Sequence, residues 1–497
     1  MNGAAAGRPG RFPVARDVLL PCVPVILAAA LRFPRLGLRP LHHDEGSNVI
    51  FLLRLLREGA YDYDPSNYHG PLLYLLSAVP LFLFGISTEM LRLVPALLGT
   101  LMAALPWCLR RELGRSGAVA AGVLLATSPS MVWYSRDNIH EIYLVFLTLL
   151  LFVGLVRGLS SSGWGWLAAA GTALGGMLAT KETAVLGFGA ILAAVLLARG
   201  GGLGAPRRGP LAFGGLIAAA IAVALYTDLF SDPGGLRRPF EALWIWGGRG
   251  FSGDGHRKPW WYFLSILARE ERTILVAAIA GAALALRWRD RFAGLLAAWG
   301  GTILAAYSCI PYKKPWLVLN IVAPLALLAG RSFGPPAGPG QGEGDATRGG
   351  GWRIAAALLL VAGALLSARR AVDIAFVRYD DDRASPLIYV QTRRSALQLV
   401  ERIEEEAARS PLGRSMPIQV LSPDYLPLNW YLRDFTDVAY YGSVIERPTG
   451  PVVIARSDAC DRVAETLGPG YTRETFPLRP GVDLCLFLAL VPERPPD

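Results

Sequence analysis

The fold of this chain is constrained above all by a succession of apolar segments, each close to the thickness of a bilayer. A helix that crosses the hydrocarbon core needs about 20 predominantly apolar residues. The 497 residues are 53% apolar and only 18% charged, whereas about a quarter of the residues in soluble domains are charged. We therefore predict an all-α polytopic membrane protein with about 11 transmembrane helices. These are residues 18–36, 91–109, 117–134, 139–156, 163–180, 184–198, 211–230, 273–286, 292–310, 316–329 and 352–368.

The net charge of +10 raises the question of nucleic-acid binding. Most lysines and arginines lie between the apolar segments, where cytoplasmic loops of membrane proteins carry them for topological reasons. The charge is therefore explained by membrane insertion, and we expect membrane lipids but no nucleic acid as partners.

A twelfth apolar segment, 72–85, is short and contains Pro80. If this segment does not cross and the N-terminus is cytoplasmic, the arginine-rich connections lie in the cytoplasm, as the positive-inside rule requires. We therefore predict a re-entrant or interfacial element within a first outer loop, 37–90, and interfacial helices in that loop. The arginines on which this depends are Arg110, Arg111, Arg115, Arg157, Arg199, Arg207, Arg208, Arg287, Arg289, Arg291, Arg331, Arg348 and Arg353.

The same count of membrane crossings divides the chain into two predicted domains. Residues 1–370 form the transmembrane domain, which includes a cytoplasmic Gly/Pro-rich loop at 332–351. Residues 371–497 have a soluble composition and form a small extracytoplasmic α/β domain, with helices at 395–408 and 424–433 and strands at 417–421 and 451–455. Cys460 and Cys485 of this domain can form a disulfide if it faces an oxidising compartment. The expected location is the cell (inner or plasma) membrane.

Charged and imidazole side chains gather at the predicted outer ends of the spans. A charge in the hydrocarbon costs about 2.5–3.5 kcal/mol on insertion scales, so a cluster of both signs at one depth indicates a water-filled cavity. The alternative is that each charge marks a span boundary in the headgroup layer. The cluster comprises His42, His43, Asp44, Glu45, His69, Arg92, Arg136, Asp137, Glu141, Lys181, Glu182, Lys313 and Lys314.

Asp44 and Glu45 lead into the cluster, immediately before an amphipathic helix pattern at 46–59 that suits the membrane interface. Carboxylates at a helix N-terminus are stabilised as anions, so a capping role is the structural alternative. Capping alone does not explain the neighbouring His42 and His43, or His69. Carboxylates with imidazoles can also bind a divalent metal, but this spacing is not diagnostic. A divalent metal therefore stays open as a cofactor, and no other cofactor is indicated.

The order of these motifs resembles the GT-C glycosyltransferases of the protein-mannosyltransferase and aminoarabinose-transferase type. The first span and the Asp-Glu pair are followed by His-Gly-Pro-Leu-Leu-Tyr at 69–74, Leu-Arg-Leu-Val-Pro at 91–95, Thr-Ser-Pro at 127–129 and Tyr-Ser-Arg at 134–136. The clear match covers residues 18–200. Tyr-Lys-Lys-Pro-Trp at 312–316 and the run 425–434 are similar to later motifs of the prokaryotic branch associated with flippase activity in archaeal N-glycosylation.

The resemblance implies transfer of a sugar from a polyprenyl-phosphate donor to an acceptor hydroxyl of a glycan, lipid or protein at the outer face, with inversion. It places Asp44 as the catalytic carboxylate that acts on the acceptor. Glu45, the next residue, could orient the acceptor or a metal. Cationic side chains must meet the charge of the leaving phosphate, with Arg136 and Lys313 favoured among the candidates. The candidates for the donor phosphate are Arg92, Arg136, Lys181, Lys313 and Lys314.

Acceptor or sugar binding is expected from polar side chains around Asp44 and from the aromatic, basic loop 244–262, which is either a mobile lid or an ordinary interfacial belt. Arg136 with Glu141 can also be an intrahelical pair, and Lys313 with Lys314 a headgroup anchor. The residues assigned to the acceptor or sugar are His43, His69, Glu141, Glu182, His256 and Trp260. The alternative function is a flippase or transport-associated protein that binds glycolipid without reacting it, although transporters place their polar sites nearer the midplane.

Overall fold

A computed structural model describes residues 13–490, apart from 60, 62, 68, 162, 199, 201–202, 205–206, 253–255 and 335–349. Most of the predicted Gly/Pro-rich loop 332–351 lies outside the described residues. The described part of the chain is mostly helical up to residue 372 and contains a small sheet after residue 417.

The first half of the chain folds into helices joined by short turns. These are α1 (Pro13–Arg32), α2 (His43–Glu58), α3 (Leu72–Phe84), α4 (Thr88–Leu91), α5 (Leu93–Met102), α6 (Arg110–Leu113), α7 (Arg115–Thr127), α8 (Pro129–Tyr134), α9 (His140–Ser161), α10 (Trp164–Leu178), α11 (Ala184–Leu197) and α12 (Arg208–Tyr226).

The second half continues with helices and then with the strands of the sheet. The helices are α13 (Arg238–Ser252), α14 (Tyr262–Glu270), α15 (Arg272–Trp288), α16 (Arg291–Cys309), α17 (Val318–Arg331), α18 (Gly350–Val372), α19 (Ser395–Arg409), α20 (Leu428–Tyr431) and α21 (Cys460–Leu467). The strands are β1 (Ile418–Val420), β2 (Val438–Tyr440), β3 (Val452–Arg456), β4 (Tyr471–Arg479) and β5 (Val482–Ala489).

Within the residues that the structure describes, five helical stretches are long and apolar enough to cross a membrane: Thr88–Leu113, His140–Ser160, Arg208–Tyr226, Arg291–Cys309 and Ile354–Val377. Shorter apolar helices include Leu19–Arg32, Leu72–Phe84, Arg115–Thr127, Ala184–Leu197 and Pro315–Arg331. The longer stretches carry exposed apolar residues, for example Leu216 and Leu359, which are 67% and 70% exposed. The chain is therefore a multi-pass membrane protein. The number of eleven crossings, and the re-entrant reading of α3, stay predictions.

Small residues allow neighbouring helices to approach closely, which is how membrane helices gain packing contacts in the absence of a hydrophobic driving force. A Cβ added at Gly171 of α10 would lie 2.1 Å from the carbonyl oxygen of Gly214 in α12. Substitution at this crossing would force the two backbones apart.

The C-terminal sheet is mixed and has the strand order β2-β1-β3-β5-β4. β1 pairs in parallel with β2 and β3, whereas β5 pairs antiparallel with β3 and β4. Alternate residues of β3 and β5 point to opposite faces: Ile454 and Leu486 pack with α19, while Val453 and Phe487 pack with α21. The sheet is thus covered by a helix on each side.

Several predicted features of this C-terminal region are present. The helix at 395–408 and the strands at 417–421 and 451–455 correspond to α19, β1 and β3. Cys460 of α21 and Cys485 of β5 form the disulfide that the sequence left open. The predicted helix at 424–433 is reduced to the single turn α20, since Pro427, which has no backbone N–H, restricts the chain there. The β4–β5 hairpin was not predicted.

Candidate active site

A cavity of about 170 Å³ lies where the loops at one end of the helical bundle converge. Residues of the first loop, of the turns before α9 and after α10, of α13 and of the connection between α16 and α17 contribute to it. Its lining includes Asp44, Ser47, Asn48, Asn67, His69, Ile139, His140, Glu141, Lys181, Glu182, Thr183, Trp246, Gly250, Tyr307, Ile310, Tyr312, Lys314, Trp316 and Leu317.

A capping box fixes the start of α2 and therefore the position of Asp44. His42 Nδ1 accepts a hydrogen bond from the Asp44 backbone N–H at 3.0 Å, and Glu45 Oε2 accepts one from the His42 backbone N–H at 2.8 Å. This reciprocal arrangement satisfies two amides that a helix start would otherwise leave without partners. Asp44 is consequently held in the first turn of α2, one residue before the buried Glu45.

The Asp44 carboxylate faces Lys314, with Oδ2 3.8 Å from Nζ. Burial alone would raise the pKa of Asp44, but the positive charge of Lys314 lowers that pKa below its ordinary value. Lys314 Nζ also lies 4.8 Å from the ring centroid of Trp316, a cation–π contact that holds the ammonium in place. The cavity therefore presents an ionised carboxylate beside a positioned cation.

A second ion pair lies deeper in the cavity. Lys181 Nζ is 2.7 Å from Glu141 Oε2, and the other oxygen of Glu141 accepts from Asn320 Nδ2. The two charged side chains are almost fully buried, at 7% and 0% exposure. Lys181 belongs to the turn between α10 and α11, and Glu141 to the first turn of α9, so this pair links three helices at the cavity wall.

An imidazole–carboxyl pair forms another part of the wall. His69 Nδ1 lies 3.0 Å from Glu182 Oε2, and the ring of His69 lies 4.4 Å from that of His140. Burial raises the pKa of Glu182 to about 7. The pair offers hydrogen-bonding groups to a polar ligand.

Glu45 and Arg92 are not in this cavity. The Arg92 guanidinium donates from Nε and Nη2 to the two oxygens of Glu45 at 2.8 and 2.6 Å, and both side chains are completely buried. The backbone N–H of Asn138 also donates to Glu45 at 2.8 Å. The assignment of Glu45 to chemistry and of Arg92 to phosphate is therefore corrected: the pair ties α2 to the start of α5.

The two cations favoured from sequence also point elsewhere. Arg136 is completely buried and donates to the carbonyls of Arg32, Pro34 and Arg35 at 2.6–2.7 Å, which fixes the chain after α1. Lys313 Nζ donates to the carbonyl of Ile310 at the end of α16. Neither side chain lines the cavity, so a direct contact with a donor phosphate there is not supported for either.

Three further predicted residues lie beside the cavity or away from it. His256 packs against Tyr312, with ring centroids 5.0 Å apart, and its Nδ1 lies 2.7 Å from the hydroxyl of Tyr389. Trp260 is 65% exposed, and the partly buried His43 lies next to Asp44 without joining the lining. Of the predicted loop 244–262, Trp246 and Gly250 do reach the cavity.

The described residues contain no group of three or more His, Cys, Asp or Glu side chains arranged to hold a metal ion. Of the carboxylates that line the cavity, Asp44 is paired with Lys314, Glu141 with Lys181 and Glu182 with His69.

Several lining residues were not among the candidates predicted from the sequence. Tyr312 and Trp316 flank the two lysines of the motif at 312–316, and His140 immediately precedes Glu141. The signal that could have identified these three residues is their position next to charged candidates. Asn48 and Tyr307 lie inside helices, and no local pattern distinguishes them from other polar residues of a buried helix face.

The family model described as dolichyl-phosphate-mannose-protein mannosyltransferase matches residues 68–226. No functionally curated protein matches the chain. The matched part contains His69, Glu141, Lys181 and Glu182 of the cavity.

Several solved structures share the fold over most of the chain. ArnT from Cupriavidus metallidurans bound to undecaprenyl phosphate is 16% identical, with a TM-score of 0.63 over 98% of this chain and 100% of that chain. The archaeal oligosaccharyltransferase AglB from Archaeoglobus fulgidus, in complex with an inhibitory peptide and a dolichol-phosphate, is 14% identical, with a TM-score of 0.57 over 91% of this chain and 71% of that chain. The mycobacterial arabinofuranosyltransferase AftD is 14% identical, with a TM-score of 0.54 over 98% of this chain and 40% of that chain.

These matches confirm the GT-C resemblance that the sequence motifs indicated, and with it the fold class of a helical membrane domain followed by a small C-terminal sheet. The narrower resemblance to the branch associated with archaeal flippase activity stays a prediction.

Proposed function

We propose that this chain is a membrane glycosyltransferase that moves a sugar from a polyprenyl-phosphate donor to an acceptor hydroxyl. The observation that carries the proposal is the ionised Asp44 carboxylate facing the cavity 3.8 Å from Lys314. The family model and the fold shared with lipid-phosphate-bound ArnT and AglB support the donor class. The reaction takes place on the extracytoplasmic face, in the cell membrane.

Asp44 acts as the general base in this proposal. As the acceptor oxygen attacks the anomeric carbon of the donor, its proton passes to the Asp44 carboxylate, which must be ionised to accept it. The bond between the anomeric carbon and the phosphate oxygen breaks, and its electron pair leaves with the lipid phosphate. A single displacement from the face opposite the phosphate inverts the anomeric centre.

Lys314 is the first candidate to bind the donor phosphate, and Lys181 is the second. An ammonium beside the leaving oxygen stabilises the charge that develops there. The attraction between Asp44 and Lys314 at 3.8 Å is about 4 kcal/mol at an effective dielectric constant of about 20, and less where water screens the pair. A phosphate competes with Asp44 for this ammonium. Donor binding therefore raises the pKa of Asp44 towards its ordinary value and makes it a stronger base.

The outer-face location rests on the disulfide between Cys460 and Cys485 and on the charge asymmetry of the loops. Disulfides persist in oxidising compartments, and α2 contacts the C-terminal region directly, since Asn429 Nδ2 donates to the carbonyl of Gly46. We therefore place the cavity and residues 371–497 on the same, extracytoplasmic side, and residues 1–370 in the transmembrane domain with a cytoplasmic N-terminus.

The test is sugar transfer by the purified protein, supplied with polyprenyl-phosphate mannose or glucose and with a membrane extract as the acceptor source. Asp44→Asn should reduce the transfer rate by about 100-fold or more, the usual contribution of a positioned general base. Asp64→Asn is the matched control, because Asp64 belongs to the same loop but does not line the cavity. Equal transfer by the Asp44 variant and wild type would overturn the role of Asp44. Lipid scrambling by wild type without any transfer would replace the proposal with transport.

A further inference from the structure

The C-terminal region holds the start of the helix that carries Asp44. Asn429 Nδ2 donates to the carbonyl oxygen of Gly46 at 2.8 Å, and the hydroxyl of Tyr431 accepts from the backbone N–H of Leu41 at 2.9 Å. These two contacts lie on either side of Asp44 in the sequence, and both come from the α20 turn and its flank. A segment almost 400 residues away in the sequence is therefore hydrogen-bonded to the start of α2.

The approach of the two backbones is close. A Cβ added at Gly46 would lie 2.8 Å from Cα of Pro427 and 3.2 Å from Cβ of Leu426. Because one of these atoms belongs to the backbone, a side chain at position 46 would push α2 away from α20. Glycine at this position lets the C-terminal region reach the helix start.

The chain before α2 is held by the C-terminal region as well. His42 Nε2 lies 2.7 Å from the carbonyl oxygen of Tyr389, and Gln391 Nε2 donates to the carbonyl of Pro40 at 2.9 Å. A neutral His42 thus donates to Tyr389 from Nε2 while Nδ1 accepts from the Asp44 N–H. Residues on both sides of Asp44 are therefore hydrogen-bonded to the C-terminal region, at positions 40, 41, 42 and 46.

We propose that Asn429 and Tyr431 are positioning residues for the transfer reaction, and that they act by fixing Asp44 relative to Lys314. This inference rests on the proposed function. Lys314 belongs to the connection after α16, an element separate from α2, so the 3.8 Å separation between Asp44 and Lys314 depends on how α2 is held. Misplacement of a reacting group by about 1 Å can cost about 100-fold in rate.

Tyr431→Phe and Asn429→Ala remove one hydrogen bond each. Both should lower kcat by about tenfold or more while the KM for the donor changes by less than about twofold, because the phosphate contact at Lys314 is untouched. Thr88→Val is the matched control: it removes the hydrogen bond from Trp430 Nε1 to Thr88 Oγ1 at 3.1 Å, which joins the same C-terminal turn to α4 rather than to α2. The control should keep the wild-type kcat.

Hydrogen–deuterium exchange gives a readout that does not require turnover. Amides of residues 41–46 should exchange faster in Tyr431→Phe and Asn429→Ala than in wild type, and at the wild-type rate in Thr88→Val. Unchanged exchange in the first two variants would overturn the positioning role whatever the activity. Faster exchange with unchanged kcat would also overturn it. An equal loss of kcat in all three variants would mean that these contacts stabilise the fold in general and do not position Asp44.

The two proposals fail in different ways. If Asp44→Asn abolishes transfer while Tyr431→Phe behaves like Thr88→Val, the proposed function stands and the positioning role is wrong. If wild type transfers no sugar, the proposed function fails, while exchange at 41–46 still decides whether the C-terminal region fixes the helix start. Gly46→Ala provides a second perturbation of the same contact and should reproduce the effect of Tyr431→Phe on both readouts.

Discussion

Asp44 and Glu45 are adjacent acids with opposite expected behaviour on substitution. Glu45→Gln should destabilise the protein, whereas Asp44→Asn should remove activity and leave stability nearly unchanged. The reason lies in their surroundings: Glu45 is completely buried against Arg92, while Asp44 is partly exposed at the cavity wall.

The magnitude follows from the contacts of Glu45. Its two oxygens accept from Arg92 Nε and Nη2 and from the backbone N–H groups of His42 and Asn138, all within 2.8 Å. Glutamine offers one acceptor oxygen and turns a donating amide towards groups that also donate. The buried Arg92 charge then loses its nearest carboxylate and keeps only the more distant Asp137, at 3.8 Å, as a counter-charge. Breaking a buried ion pair in this way costs about 3–5 kcal/mol. The Asp44–Lys314 pair, at 3.8 Å and partly exposed, contributes about 0–1 kcal/mol.

Thermal unfolding in detergent, followed by circular dichroism, measures the difference. At about 2 °C per kcal/mol for a large domain, Glu45→Gln should lower the midpoint by about 6–10 °C and Asp44→Asn by less than about 2 °C. Transfer assays on the same samples, below both midpoints, should show the larger loss in Asp44→Asn. A midpoint of Glu45→Gln within about 2 °C of wild type, or a transfer rate lower than that of Asp44→Asn, would refute the division of roles.

Three further results are expected. Lys314→Ala should raise the donor KM about tenfold or more, because it removes a charge-assisted contact, whereas Lys313→Ala should leave it unchanged; initial rates at varied donor concentration check both. Burial raises the pKa of Glu182 from 4.5 to about 7, so the contribution of this carboxyl to stability is full below pH 4.5 and falls by about 3 kcal/mol as pH rises to about 7. The fall in the thermal midpoint over this pH range should be smaller in Glu182→Gln than in wild type. Removing the Cys460–Cys485 disulfide, which closes a separation of 25 residues, should destabilise the C-terminal region by about 3.5 kcal/mol; thermal unfolding with and without a reductant measures this loss.

Much of the fold could be predicted because it depends on local pattern. The apolar segment at 139–156 became α9, with only its end shifted to Ser161, and the charged periodicity at 395–408 became α19. The β4–β5 hairpin was harder, since the first half of β4 is exposed and polar and lacks the alternation that marks a strand. Its pairing with β5 is fixed by the whole sheet rather than by its own residues.

The candidate site was predictable to the extent that charge at the end of a span indicates a cavity. That argument found Asp44, His69, Glu141, Lys181, Glu182 and Lys314, which line one cavity in the structure. It could not separate Asp44 from Glu45, because consecutive helical residues differ by about 100° in direction and both precede the same apolar pattern. Which of them faces the cavity is decided by Arg92, whose guanidinium reaches Glu45 across a separation of 47 residues. A completely buried arginine needs a carboxylate, or several carbonyls, to balance its desolvation. The charges of Arg92 and Arg136 are therefore balanced by partners inside the protein. The cations that line the cavity are Lys314 and Lys181, and these are the residues that we expect to recognise a phosphate.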